Sequence, residues 1–342
     1  MEFSSNEAMD ILNAIGIPTI SDSVNYWFVR TNGGDNFEDF YFNNYVAIGW
    51  DKINGLDSIK SLSFDDLKDT VEEMYPEESK PGATASQIKR FVCEMKPGDY
   101  VLIPGANCDR IAIGIISSDV YIYELTEQDH FDSLFDDTGV SYFKRRNVEW
   151  IAERPFERYE LDPMLIPIIY SYGTIVNANP YSGFINRTLY NCYIQGNEMH
   201  AIFDVTKTDN IPAVDLYDFM DSIFDSVKLY GEMYDSPVDK TDLSIKAAIN
   251  SPGPVEIITA ATSLFIVLSS LALFINGAKI KFSFDICKVV NGDIDIDTPG
   301  LMDKIAEHNK ISNEHTIELE KTEAEIKESK EKLKIKKKRN KR

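Results

Sequence analysis

The chain has 342 residues, 43% of them hydrophobic and 11% aromatic, which is enough apolar material for two folded domains and too much for a disordered chain. Its formal charge of −21 is uneven: Lys321 to Arg342 holds eleven Lys or Arg against four Glu, or +7, which leaves −28 on the residues before it. So acidic a body repels a phosphate backbone at long range and excludes broad, sequence-blind coating of nucleic acid, but not a local pocket that reads one nucleotide.

In chain order, residues 5–16 read as a short amphipathic helix that Ile17-Pro18 ends, and residues 1–23 form an N-terminal segment. Strands are predicted at Tyr26 to Arg30 and Tyr45 to Trp50, separated by the Asn32-Gly33-Gly34-Asp35 loop. Ser63, followed by Asp65 and Asp66, opens a helix that stops near Tyr75-Pro76, and a second helix covers Ala83 to Met95. After the Lys96-Pro97-Gly98-Asp99 turn, strands follow at Tyr100 to Pro104, Arg110 to Ile116, Val120 to Tyr123, Lys144 to Ile151 and Met199 to Val205. Many short strands interrupted by two helices predict an α+β domain over residues 24–205, a partly closed β-barrel with helical insertions.

The character then changes. Residues 206–250 read as a helical connector, with an amphipathic helix from Val214 to Tyr234. Residues 251–300 contain the uncharged run Ile257 to Ile275, predicted as one apolar helix, and a hairpin around Asn291-Gly292. Residues 301–342 read as a charged helix with a basic tail. There Ile305, Leu319, Ile326 and Leu333 keep a seven-residue register, but Ser312, Thr322 and Ser329 between them make only a weak coiled-coil seam.

Catalytic sets are sparse. His130, His200, His308 and His315 do not pair at metal-ligand spacing, and GxSxG, HExxH and GxxxxGK[ST] are all absent. Asp293, Asp295 and Asp297 mimic the start of a calcium loop, yet Thr298 and Lys304 stand where its glycine and bidentate glutamate belong. Cys93, Cys108, Cys192 and Cys287 form no CxxC, so reduced cytosolic thiols are expected, and Met1 to Ser4 carries no secretory pattern. The expectation is a protein that is not an enzyme and needs no cofactor.

Trp27-Phe28-Val29-Arg30 with the glycine loop after it, Val46-Ala47-Ile48-Gly49-Trp50-Asp51, Gln87 through Val101, Ile111 to Ile115 and Val148-Glu149-Trp150 occur in one order. Together they resemble the PUA-like or EVE-like N-terminal domain of Mrr-type restriction proteins and related bacterial defence proteins. The resemblance implies a prokaryotic, anti-phage sensor that binds a nucleotide or modified nucleobase, alone or within nucleic acid, in an aromatic pocket. A planar base needs a π surface and a few fixed polar groups, and stacking contributes about 1–3 kcal/mol per base. The candidate ligand residues are therefore Trp27, Arg30, Trp50, Asp51, Gln87 and Pro104. Trp27 and Trp50 could equally be core, and Arg30 and Asp51 a salt bridge. Strand alternation separates Trp27 from Arg30. Lys144-Arg145-Arg146, the one basic cluster in this acidic domain, reads as a solvated strand end.

In restriction proteins a nuclease follows the reader; here the apolar segment and the basic tail stand in that place. Ile257 to Ile275 is long enough to span a bilayer. A span, a shallow helix at the surface and a helix buried in a homo-oligomer all remain open. On the first two, the N-terminal domain is cytoplasmic and attached to the inner cell membrane. The alternative is a structural or interaction protein that oligomerises through its C-terminal helices.

Overall fold

The computed structural model describes residues 17–124, 142–233, 243–247, 253–260, 310 and 314–336. They belong to two compact units, one of residues 23–188 and the other of the flanking stretches 1–22 and 189–340. The strands are β1 (Thr19–Ile20), β2 (Tyr26–Val29), β3 (Tyr45–Ile48), β4 (Tyr100–Pro104), β5 (Arg110–Ile116), β6 (Tyr121–Ile122), β7 (Lys144–Trp150), β8 (Phe156–Glu157), β9 (Ile175–Asn177), β10 (Cys192–Gln195), β11 (Glu198–Val205), β12 (Ser244–Ala247), β13 (Gly253–Ala260) and β14 (Ile335–Lys336). The helices are α1 (Phe37–Phe42), α2 (Leu56–Ser61), α3 (Phe64–Met74), α4 (Pro81–Lys89), α5 (Ile166–Ile169), α6 (Ser182–Leu189), α7 (Ala213–Met233) and α8 (Thr316–Leu333).

In the unit of residues 23–188 one sheet runs in the order β3-β7-β5-β4-β2-β9, with β6 on β7 and β8 on β5. Every pairing is antiparallel except β2 with β4. Strand β7 makes the sheet curl. Its first half, Lys144 to Asn147, pairs with β3, and its second half, Val148 to Trp150, pairs with β5. Gly114 sits opposite Trp150, and a Cβ there would run into the Val148 and Trp150 side chains. The result is a mixed α+β half-barrel, compatible with the PUA-like fold that the sequence resemblance implies.

Strands β2, β3 and β4 are buried at every position, so they read as continuous apolar runs. Helix α3 starts where Ser63 Oγ accepts the Asp66 N–H at 3.2 Å, and it buries Leu67 and Val71, four residues apart. Helix α4 begins with Pro81 at its first turn and passes into a π-helical turn, Arg90–Glu94. Leu67, Val71, Ile88 and Phe91 share one core with Trp27, Val46, Ile48, Val101 and Ile103. Asp99, expected only as a turn residue, is a buried organiser. Its carboxylate accepts the Trp27 indole N–H at 2.9 Å and the backbone N–H groups of Asn25 and Lys96 at 3.1 and 3.0 Å.

In the other unit a sheet runs β1-β10-β11-β13-β12, with β14 also on β11. Three sequence expectations change here. Strands β10 and β11 lie in this unit although residues 24–205 were expected as one domain. The connector expected to be helical contains β12. Ile257 to Ala260, the start of the expected apolar helix, lies in β13, paired on one side with β11 and on the other with β12. The β-branched Ile257, Ile258 and Thr259 after Pro254 favour a strand, and a buried strand is as apolar as a buried helix. Among the described residues no helix is long and apolar enough to cross a membrane. The rest of the run, the hairpin expected at 278–297 and its three aspartates lie outside the described residues.

Helix α7 buries Phe219, Ile223 and Val227, spaced by four, and α8 buries Leu319, Thr322, Ile326, Ser329 and Leu333. An ion pair at 3.7 Å between Lys332 and Asp218 sets the last turn of α8 beside the first turns of α7. The described part of the weak heptad seam is thus buried within the chain, and there Thr322 Oγ1 donates to the Glu318 carbonyl at 2.9 Å. The same unit buries a polar cluster: His200 Nδ1 lies 2.7 Å from Glu256 Oε1, and the imidazole stacks on Tyr193 at 4.4 Å.

Candidate functional site: an aromatic clamp around Asp51

Strand β3 ends at Ile48, and the chain turns through Gly49 into Trp50 at φ 59°. Tyr142, two residues before β7, stands at φ 70°. Bulky side chains avoid this left-handed region, where each costs about 1–3 kcal/mol and persists only when its surroundings over-determine it. At Tyr142 one carboxylate supplies that constraint. Asp51 Oδ2 accepts the Tyr142 N–H and Oδ1 the Phe143 N–H, both at 2.9 Å. Lys144 closes the ring of contacts by donating from Nζ to the Trp50 carbonyl at 2.9 Å, 3.6 Å from Asp51 Oδ1. Its side chain is fully buried; burial holds its pKa below the usual lysine range, against the pull of Asp51.

The clamp presents aromatic rings at the edge of the core. Trp50 and Tyr142 are half-buried and pack against it. The Tyr142 ring lies 3.8 Å from where a Cβ on Gly49 would be and meets Phe40 edge-on at 6.0 Å. Beside them the Lys52 backbone N–H donates to the Tyr75 hydroxyl at 2.9 Å, and Lys52 Nζ lies 4.8 Å from that ring's centre. Chemically this is a fixed π surface with buried positive charge behind it, suited to a planar, electron-rich ring.

The three cations that open β7 are not solvated, contrary to the sequence expectation. Lys144, Arg145 and Arg146 are all buried, because the first three residues of β7 are enclosed on both faces of the curled sheet, while Asn147 and Glu149 further along are exposed. Arg146 donates to the carbonyls of Phe91 at 2.9 Å, Val92 at 3.3 Å and Ser118 at 3.1 Å, so it caps the π-helical turn. Desolvation pushes its pKa down to about 10.

The six residues singled out from sequence have different fates. Trp50 and Asp51 come together in the clamp. Trp27 is enclosed in the core with its N–H on Asp99, which leaves no face for a ligand. Arg30 donates to the carbonyls of Ile169 and Ser171 rather than pairing with Asp51. Gln87 Oε1 accepts the Ile175 N–H, and the Pro104 carbonyl accepts the Thr31 hydroxyl, each at 2.5 Å. These last three contacts fasten loops. Sequence reasoning missed Tyr142, Lys144 and Arg145; the available signal was three consecutive cations opening a strand in an acidic chain. Among the described residues no group of three or more His, Cys, Asp or Glu is placed to hold a metal ion.

A family model described as "Domain of unknown function (DUF8426)" matches residues 27–164, a span that contains the whole clamp. No curated protein matches the chain. Among solved structures, the YTH domain of the Zygosaccharomyces rouxii MRB1 protein, in complex with N6-methyladenosine RNA, is 13% identical with a TM-score of 0.27; the match covers 51% of this chain and 94% of that one. The Pho92 YTH domain, in complex with m6A, also matches at 13% identity and a TM-score of 0.27, over 51% of this chain and 93% of that one. At that TM-score the superposition assigns no residue of this chain a role.

Proposed function

We propose that residues 23–188 bind a nucleotide, or a modified nucleobase within one, with its ring against Trp50 and Tyr142. The observation that carries the reading is the clamp: two large aromatics at positive φ on adjoining segments, the Tyr142 N–H held by the Asp51 carboxylate and the Trp50 carbonyl by the Lys144 ammonium. Core packing alone does not require that backbone, and stored strain of this kind concentrates at binding sites. The domain acts as a reader that binds without transforming its ligand, and the residues after 205 carry its output. The prokaryotic defence setting implied by the sequence resemblance, and attachment to the inner membrane through residues beyond Ala260, are parts of the same proposal.

The test is calorimetric titration of the full chain with common and base-methylated nucleoside monophosphates. At least one should bind, and Trp50→Ala should weaken it by about 5- to 150-fold, the equivalent of 1–3 kcal/mol of stacking, with the thermal transition kept. A panel with no binder would reject the reading, and so would a Trp50→Ala protein that binds like wild type. The second reading, a structural protein that assembles through its C-terminal helices, is favoured by a homo-oligomer that disperses when α8 is truncated.

A further inference from the structure

Arg145 is the cation of the Lys144-Arg145-Arg146 run whose terminal nitrogens make no hydrogen bond among the described residues. The alternation of β7 separates it from its neighbours, whose ammonium and guanidinium groups are taken up by carbonyls and Asp51. The Arg145 guanidinium carbon lies 3.6 Å from the ring centre of Tyr123 and 4.2 Å from that of Tyr45. Only Nε makes a hydrogen bond among the described residues, to the Tyr142 carbonyl at 3.0 Å. No carboxylate among the described residues pairs with it, although the chain carries 56 acidic residues. Two rings fix the plane of the guanidinium and one carbonyl fixes its rotation. Its terminal N–H groups therefore stand in a set direction, next to the residue that supplies one ring of the clamp. A planar pair of unused donors matches the oxygens of a phosphate, which a guanidinium binds through two parallel hydrogen bonds.

We infer that Arg145 is a phosphate-binding residue, and that the ligand of the Trp50–Tyr142 clamp carries a phosphate ester beside its ring. The inference rests on the ring-binding reading for the identity of the ligand, but the anion site stands on its own geometry. It also fits the charge of the molecule. A body this acidic gains little from many distant phosphates, whereas one desolvated guanidinium can hold one phosphate at short range.

The experiment compares each nucleoside with its 5′-monophosphate, together with inorganic phosphate and a dinucleotide with a single internal diester, all on the full chain. Wild type should bind the monophosphate at least tenfold more tightly than the nucleoside. Arg145→Gln should bring that ratio close to one, whatever the release of the Tyr142 carbonyl does to nucleoside affinity itself, whereas Trp50→Ala should weaken both and keep the ratio. Arg145→Lys keeps a cation between the two tyrosines and serves if the glutamine variant fails to fold; it too should lose most of the ratio, because an ammonium lacks the paired planar donors. A gain shared by the dinucleotide marks a strand phosphate as the source, and a gain confined to the monoester marks a free nucleotide; either supports the inference. Arg145-dependent binding of inorganic phosphate with no nucleoside binding would sink the ring reading and leave the anion site standing. A phosphate preference that survives both Arg145 substitutions, or its absence from wild type, overturns the inference.

Discussion

Asp51 holds the strained Tyr142 and its neighbour Phe143 and faces a buried cation, so its loss should be felt first in stability. Asp51→Ala frees the Tyr142 and Phe143 N–H groups and leaves Lys144 without a counter-charge. Breaking a buried pair costs about 3–5 kcal/mol, and the partial exposure of Asp51 puts the expectation near the lower end, about 3 kcal/mol, in urea unfolding. A loss below about 1 kcal/mol would show that the clamp does not depend on this carboxylate. Two buried tyrosines contribute to the loss of stability at alkaline pH. Burial first, and the Asp39 contact at Tyr45, raise the pKa of Tyr26 and Tyr45 above that of a free tyrosine. Above about pH 10 the unfolded chain releases these protons before the folded one, so their contribution is intact below pH 10 and falls as pH rises further. Tyr26→Phe should flatten the fall in stability between pH 10 and 12; an unchanged slope would contradict the assignment. At this scale the sequence singled out Trp50 and Asp51, because they follow a strand directly, and the structure places them side by side with Lys144. It did not disclose Tyr142, because its role depends on a contact with Asp51 ninety-one positions away. It misread Lys144 to Arg146, because exposure of a strand's cations is decided by how the sheet curls.

At the scale of elements, local signals located what local chemistry decides. The Ser63 cap and the apolar face that includes Phe219, Ile223 and Val227 marked their helices correctly. They failed where tertiary partners decide. Ile257 to Ala260 joins a sheet because β11 and β12 flank it; its β-branching leans toward a strand, but four residues are too few for periodicity to separate that outcome from a helix. The seam of α8 was legible as a register but not as to its partner. Ile326 is fully buried there, so Ile326→Ala should lower stability by about 2–4 kcal/mol, seen as a lower denaturation midpoint. Since α8 packs within the chain, the same variant should leave the mass measured by light scattering unchanged. A change of mass would place the seam between chains.

Across the whole molecule, residues 23–188 contain the half-barrel, its core and the clamp. That fragment should fold alone, give a mixed α/β circular dichroism spectrum and bind nucleotide as the full chain does. A fragment that stays unfolded would show that the stretches beyond it supply part of its core. The acidic body and basic tail were plain from composition, which argued against a coat for many phosphates and left room for the proposed reader of one nucleotide. The most direct test of that reader is the crystal structure of the full chain soaked with the tightest-binding nucleoside monophosphate. The account predicts density for the base against Trp50 and Tyr142, with the phosphate on Arg145. A base bound elsewhere while Trp50 and Tyr142 stay uncovered would contradict it.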